Sequence, residues 1–145
     1  MSCDVLAALP RAVPKLSSMN PTAQPVSVTL DAAALARLRE LDPDGRNGVV
    51  RRVLTAFESS LARMLAQLAA EVDGGNAAVV ASVAHTLKSS SASVGALRLA
   101  ATCEEVERRA RESRDGGTAA QRHDVERLLA EGEAALAAVR AILYP

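Results

Sequence analysis

His85 is one of two histidines in a chain of 145 residues. Its neighbours Ala84, Thr86, Ser89, Ser90 and Ser91 are small or hydroxylated, and Lys88 stands three positions on. Imidazole is nucleophilic in its neutral form and changes charge near physiological pH. To attack, it has to be exposed and held in orientation. Its N-phosphoryl form is energy-rich, so a phosphoryl group placed there can be passed on. On a helix, Lys88 at i+3 places a mobile ammonium where it could sit beside a phosphate on the ring. Ser89 at i+4 brings a hydroxyl to the ring edge or to a phosphoryl oxygen. A histidine on a helical bundle is most often an ordinary surface residue, so the case for His85 depends on the elements around it.

The spacing predicts a helix through this stretch. At 100° per residue, Val80, Val83, Leu87 and Val94 lie on the side away from His85. Ala78, Ala81, Ser82, Lys88, Ser89 and Ala92 lie within about 60° of it. The ring is therefore expected to point outward from a face of small side chains, open to another macromolecule. Asn76 is a candidate N-cap for this helix, and Gly95 marks a turn or kink after it.

The remaining elements share that helical period. A short helix is expected over Thr29–Leu41, capped by Thr29 or Asp31, with Leu35 and Leu38 as its apolar side. "DPDGRNG" then breaks the chain. A second helix runs from a cap at Asn47 to Val72. Its apolar residues Val50, Val53, Leu54, Phe57, Leu61, Met64, Leu65, Leu68 and Val72 follow 3–4 spacing throughout. A fourth covers Ala96–Arg114, with Leu99, Cys103, Val106 and Ala110 on one stripe. Its i, i+4 pairs Glu104–Arg108, Glu105–Arg109 and Glu107–Arg111 are placed on the exposed side. "DGG", Asp115–Gly117, ends it. A fifth covers Thr118–Leu143, with Val125, Leu128, Leu129, Leu136, Val139 and Leu143 as its stripe. Gly132 lies on that stripe, where it would let a neighbouring helix come close. The expected fold class is all-α, an antiparallel up-down four-helix bundle with a short additional N-terminal helix.

Composition agrees and excludes several classes. Hydrophobic residues make up 49% of the chain, yet Phe57 and Tyr144 are its only aromatics, so the core must be built from Leu, Val and Ala. The 17 basic and 17 acidic residues cancel, leaving no global basic footprint for nucleic acid or anionic lipid. No apolar run is long enough to span a membrane. Four of the six prolines fall in residues 1–27, expected to be a flexible tail rather than a signal peptide, with residues 28–145 forming the domain. Cys3 lies in that tail and Cys103 on a core stripe. This suggests neither a disulfide framework nor a metal site, and a reducing cytoplasm is the simplest compartment. His123 falls on the solvent side of the last helix and reads as a surface residue.

The segment Ala84–Glu107 resembles the signature of the histidine-phosphotransfer (HPt) domains of bacterial multistep phosphorelays. That pattern runs His-x-Leu-Lys-Gly-Ser, then Gly-Ala, then Leu, Cys and Glu along the next helix. His85, Leu87, Lys88, Ser90, Gly95, Ala96, Leu99, Cys103 and Glu107 match it, and Ser89 replaces the usual Gly. The resemblance implies a phosphoryl carrier without kinase activity. His85 would accept a phosphoryl group from a response-regulator receiver aspartate and pass it to another receiver, with Lys88 screening the phosphate and Ser89 available to hydrogen-bond ring or phosphate. Ala78, Ala81, Ser82, Ser89 and Ala92 would form part of the docking footprint, with residues of the preceding helix, while Gly95, Leu99 and Cys103 are structural. No cofactor of its own is implied, Mg²⁺ coming with the partner receiver. The implied partners are receiver domains and, as a further candidate, a hybrid sensor kinase, and a complete bundle needs only one chain, hence a monomer.

Three other readings compete. A non-catalytic helical adaptor, a degenerate HPt, would bind receivers without accepting phosphate, and Ser89 is the local reason to consider it. A sensor-kinase dimerisation domain would carry an acidic residue after the histidine, where Thr86 stands, and the chain holds no Gly-rich nucleotide motif. A hydrolase using His85 and a nearby serine lacks an acid at a fitting offset on the same helix.

Overall fold

A computed structural model describes residues 30–73, 75–113 and 118–145. Five helices are found there: α1 Ala32–Glu40, α2 Val49–Ala69, α3 Ala77–Ser93, α4 Leu97–Glu112 and α5 Ala119–Leu143. No strand occurs among the described residues. The expected tail over 1–27, the Thr29 cap and the Asp115–Gly117 turn lie outside them.

Each of the four long helices buries the stripe its sequence marks. Leu54, Leu61 and Leu68 of α2 are fully enclosed, as are Val80 and Leu87 of α3, Leu99, Cys103 and Val106 of α4, and Val125, Leu128 and Val139 of α5. Contacts α2–α3, α3–α4, α4–α5 and α5–α2 close the ring, and α1 rests on α2. Only Val94–Ala96 joins α3 to α4, a connection short enough to impose an antiparallel hairpin. Bundle and topology therefore agree with the reading from periodicity.

Two glycines set close approaches. Gly95 has φ +84, a conformation that L side chains rarely adopt. Its carbonyl accepts the Asp31 N–H at 2.8 Å, and a Cβ there would lie 2.7 Å from that nitrogen, so α1 is tied directly to the α3–α4 turn. Gly132 is buried where α5 meets α2, and a Cβ would run into Leu65 Cδ2.

Boundaries differ from expectation where side chains compete for the same backbone groups. Asp31 caps α1 through Ala34 N–H at 3.1 Å, Asn76 caps α3 through Ala78 N–H at 2.9 Å and Thr118 caps α5 through Gln121 N–H at 3.0 Å. For α2 the cap is Gly48, not Asn47. Asp42 has taken over: its carboxylate accepts the N–H of Asn47 at 3.0 Å and of Val49 at 3.3 Å, and the Asn47 side-chain amide at 3.3 Å. Burial opposes ionisation of Asp42, but these N–H donors outweigh it and its pKa is lowered. At its other end α2 stops at Ala69, leaving Val72 in the following turn, and α4 spans Leu97–Glu112 rather than Ala96–Arg114.

Candidate functional site

α3 buries Val80, Ala81, Val83, Ala84, Leu87 and Ser91 and packs most extensively on α4, which leaves the side carrying His85 facing outward. His85 stands there with its side chain 60% exposed. Ala78, Ser82, Ser89 and Ala92 around it are exposed, as expected. Ala81 is not: at 5% it is packed into the core edge because it lies between the ring's face and the buried Val80–Ala84 side. The hydroxyls of Thr86 and Ser90 turn back onto α3, bonding Ser82 O at 3.2 Å and Thr86 O at 3.3 Å. Ser89 is exposed, and its carbonyl accepts from Ser93 Oγ at 3.0 Å.

The decisive group comes from α4. Glu107 lies on the stripe of Leu99, Cys103, Val106 and Ala110 and is only 7% exposed. Its Oε2 is 2.9 Å from His85 Nδ1, and its Oε1 accepts from Lys88 Nζ at 2.8 Å. Arg111, one turn on, donates to Oε2 from Nε at 3.0 Å and from Nη2 at 2.8 Å. The Lys88 hydrogen bond, then that of Arg111, lowers the Glu107 pKa to about 2, with burial opposing and His85 adding to the drop. The same contact raises the pKa of Lys88, again against burial.

This geometry fixes a tautomer. An ionised carboxylate has no proton to give, so the hydrogen between Oε2 and Nδ1 belongs to the ring. A neutral His85 then keeps its lone pair on Nε2, the nitrogen directed away from the acid. The site is a single imidazole with one nitrogen engaged and the other available to an electrophile arriving from solvent.

Two sequence expectations are corrected here. Glu107–Arg111 is not an outward surface pair, since its acid is buried under the histidine. Lys88 is not a loose ammonium beside the ring, since it is held by Glu107. Offsets along α3 alone offer His85 no orienting acid, because the acid is supplied across the hairpin from α4. The signal was a carboxylate next to Val106 and four residues from Cys103, on a stripe that is otherwise apolar. Of the other expected pairs, Glu105–Arg109 forms at 2.8 Å, whereas Arg108 faces Glu112 at 3.6 Å rather than Glu104.

Cys103 is fully buried, and burial, followed by the negative Glu107, pushes its thiol up to about 12. It packs the α3–α4 interface. Leu99 and Gly95 are buried as well, and His123 is exposed on α5. An open groove of about 990 Å³ is lined by Asn76, Ala78, Ala81, Ser82, His85 and Arg111. Another of about 510 Å³ lies between α2 and α3, with Ser60, Arg63, Met64 and Gln67 facing Ser82 and Thr86. Among the described residues no helix is long and apolar enough to cross a membrane, and no group of three or more His, Cys, Asp or Glu is placed to hold a metal ion.

The described residues thus form a helical bundle with an exposed, acid-braced histidine on its third helix. The family model for the Hpt domain matches residues 52–141, more than half of the chain, and the chain belongs to that family. Membership places it in histidine phosphotransfer within phosphorelays, where such domains are phosphoryl carriers rather than kinases and interact with response-regulator receivers. No curated protein matches the chain, and no solved structure matches it.

Proposed function

We propose that the protein carries a phosphoryl group on His85 Nε2, accepting it from the aspartyl phosphate of one receiver domain and delivering it to the aspartate of another. The observation that carries this reading is the 2.9 Å pairing of His85 Nδ1 with the ionised Glu107. It orients an exposed ring and keeps the lone pair on the outward nitrogen. In the first transfer that lone pair attacks phosphorus. The N–P bond forms as the bond from phosphorus to the aspartyl oxygen breaks, and aspartate leaves as a carboxylate. Nδ1 keeps its proton, so the phosphorylated ring is cationic, and Glu107 beside it offsets the charge. In the second transfer the acceptor carboxylate attacks phosphorus and the ring departs as neutral imidazole.

Such transfers depend mainly on positioning and charge stabilisation. Lys88, anchored one turn from the ring, screens the added phosphate, and the exposed Ser89 hydroxyl is available to hydrogen-bond it. Mg²⁺ is assigned to the receiver. Ala78, Ser82, Ser89 and Ala92 supply the footprint on α3, Ala81 lies beneath it, and Ser60, Arg63, Met64 and Gln67 extend it onto α2. The setting would be the cytoplasm, with the chain acting as a monomer.

The test is to mix the purified chain with a receiver already phosphorylated on aspartate, with Mg²⁺ present, and to map phosphate by intact mass and acid lability. An acid-labile phosphate on the wild type, absent from His85→Gln, is expected. That variant should fold with stability within about 0.5 kcal/mol, as for other exposed sites. Binding to receivers without any label on the wild type would replace the carrier with the adaptor reading.

A further inference from the structure

We infer that Arg111 is a positioning residue for phosphoryl uptake, fixing the Glu107 oxygen that receives the His85 Nδ1–H and so determining which ring nitrogen is free. The tautomer part stands on geometry alone, and its kinetic consequence rests on the phosphocarrier reading above.

The four donors around Glu107 are unevenly divided. Oε1 has Lys88, whereas Oε2 has His85 and both the Nε and Nη2 groups of Arg111. Lysine is a compact charge on a flexible stem, so alone it leaves a carboxylate free to turn about its last bond. A guanidinium is planar and rigid, and two of its N–H groups on one oxygen hold that oxygen in place. Glu107 and Arg111 share a helix at i, i+4, so the fork itself is carried on a stiff element. Ordinary exposed pairs of this spacing contribute little. This one differs because its acid is buried and its oxygen is shared with the reacting ring. Arg111 is itself 58% exposed and lines the groove beside His85, so it holds Glu107 from the solvent side.

The experiment uses the unphosphorylated full chain, labelled with ¹⁵N-histidine in a His123→Gln background so that one ring is observed. Two-bond ¹H–¹⁵N spectra at mildly alkaline pH report which nitrogen is protonated. The parent chain is expected to show the Nδ1–H form. Arg111→Gln is expected to add a clear Nε2–H population, and Arg111→Lys, which restores charge without the fork, to restore it only in part. With a phosphorylated receiver as donor, Arg111→Gln should take up phosphate about 10-fold more slowly, with helix content retained. An unchanged tautomer in Arg111→Gln overturns the inference even if uptake slows, because that combination describes a docking residue. A shifted tautomer with unchanged uptake overturns the kinetic half. Failure of the parent chain to take up phosphate refutes the carrier reading, and the ring spectra still decide the role of Arg111.

Discussion

Replacing Glu107 by Gln tests the site with almost no change in side-chain shape. The carboxylate accepts four hydrogen bonds, from His85 Nδ1, Lys88 Nζ, and the Nε and Nη2 of Arg111. An amide has one acceptor oxygen and an NH₂ that donates. If its oxygen faces His85 and Arg111, the NH₂ points at the Lys88 ammonium, donor against donor. If it turns over, the NH₂ donates to Nδ1, favours the Nε2–H tautomer and removes the outward lone pair. Either way the charge that offsets the cationic phosphorylated ring is gone. Hydrogen bonds to charged groups shift an equilibrium by one to two powers of ten. Phosphoryl uptake from a phosphorylated receiver is therefore expected to slow by about 10- to 100-fold in Glu107→Gln, with helix content retained. Rapid-quench, single-turnover kinetics at saturating receiver would measure this apart from docking. Uptake within about twofold of the wild-type rate would refute the reasoning, because it would mean that ring orientation and tautomer do not limit the transfer.

Other consequences are as direct. Glu107, with its pKa lowered from 4.5 to about 2, stabilises the fold above pH 4.5, and this contribution is lost as pH falls through about 2. Carboxyl ¹³C NMR should give a Glu107 midpoint near 2, and Glu107→Gln should flatten the acid limb of stability between those values. A Glu107 midpoint at the ordinary carboxylate value would contradict the network. Gly132→Val should destabilise by about 1–3 kcal/mol in urea unfolding, since the added atoms meet Leu65. Unchanged stability would mean that α2 and α5 are looser than described. In a Cys3→Ser background the native protein should resist a thiol reagent at pH 8 and react once unfolded, because Cys103 is buried with its thiol pushed up to about 12. Rapid native labelling would place that thiol outside the core.

The bundle was legible because a Leu-, Val- and Ala-based core needs helical spacing to close, and the spacing is nearly unbroken from Val50 to Leu143. Asn76, Gly95 and Gly132 each announced a local event in residue type alone, and each occurs. The orientation of His85 followed from geometry within one helix. What could not be read from one helix was the partner across the hairpin. Glu107 looks like half of a surface pair until α3 is laid against α4, and the same step converts Lys88 from a free charge into an anchored one. Asp42 escaped for a related reason: capping rules inspect the residue at the helix start, whereas this carboxylate reaches Val49 from seven residues upstream. Ala81 shows the limit of angular arithmetic, which places a residue on a face without saying how deeply a small side chain sinks.

The short α3–α4 connection works as a ruler. From Ser93 back to His85 is about 12 Å of helix, and from Leu97 out to Glu107 about 15 Å, at 1.5 Å per residue. Side chains lean toward the start of their own helix. The histidine therefore leans away from the turn and the glutamate toward it, and the two arms meet between those heights. Inserting or deleting one residue between them would slide one arm by about 1.5 Å and rotate it by about 100°. That change would aim Glu107 elsewhere while leaving two amphipathic helices able to pair. Between His85 and Glu107 the chain thus encodes a length as well as a composition, and the length is the stricter requirement.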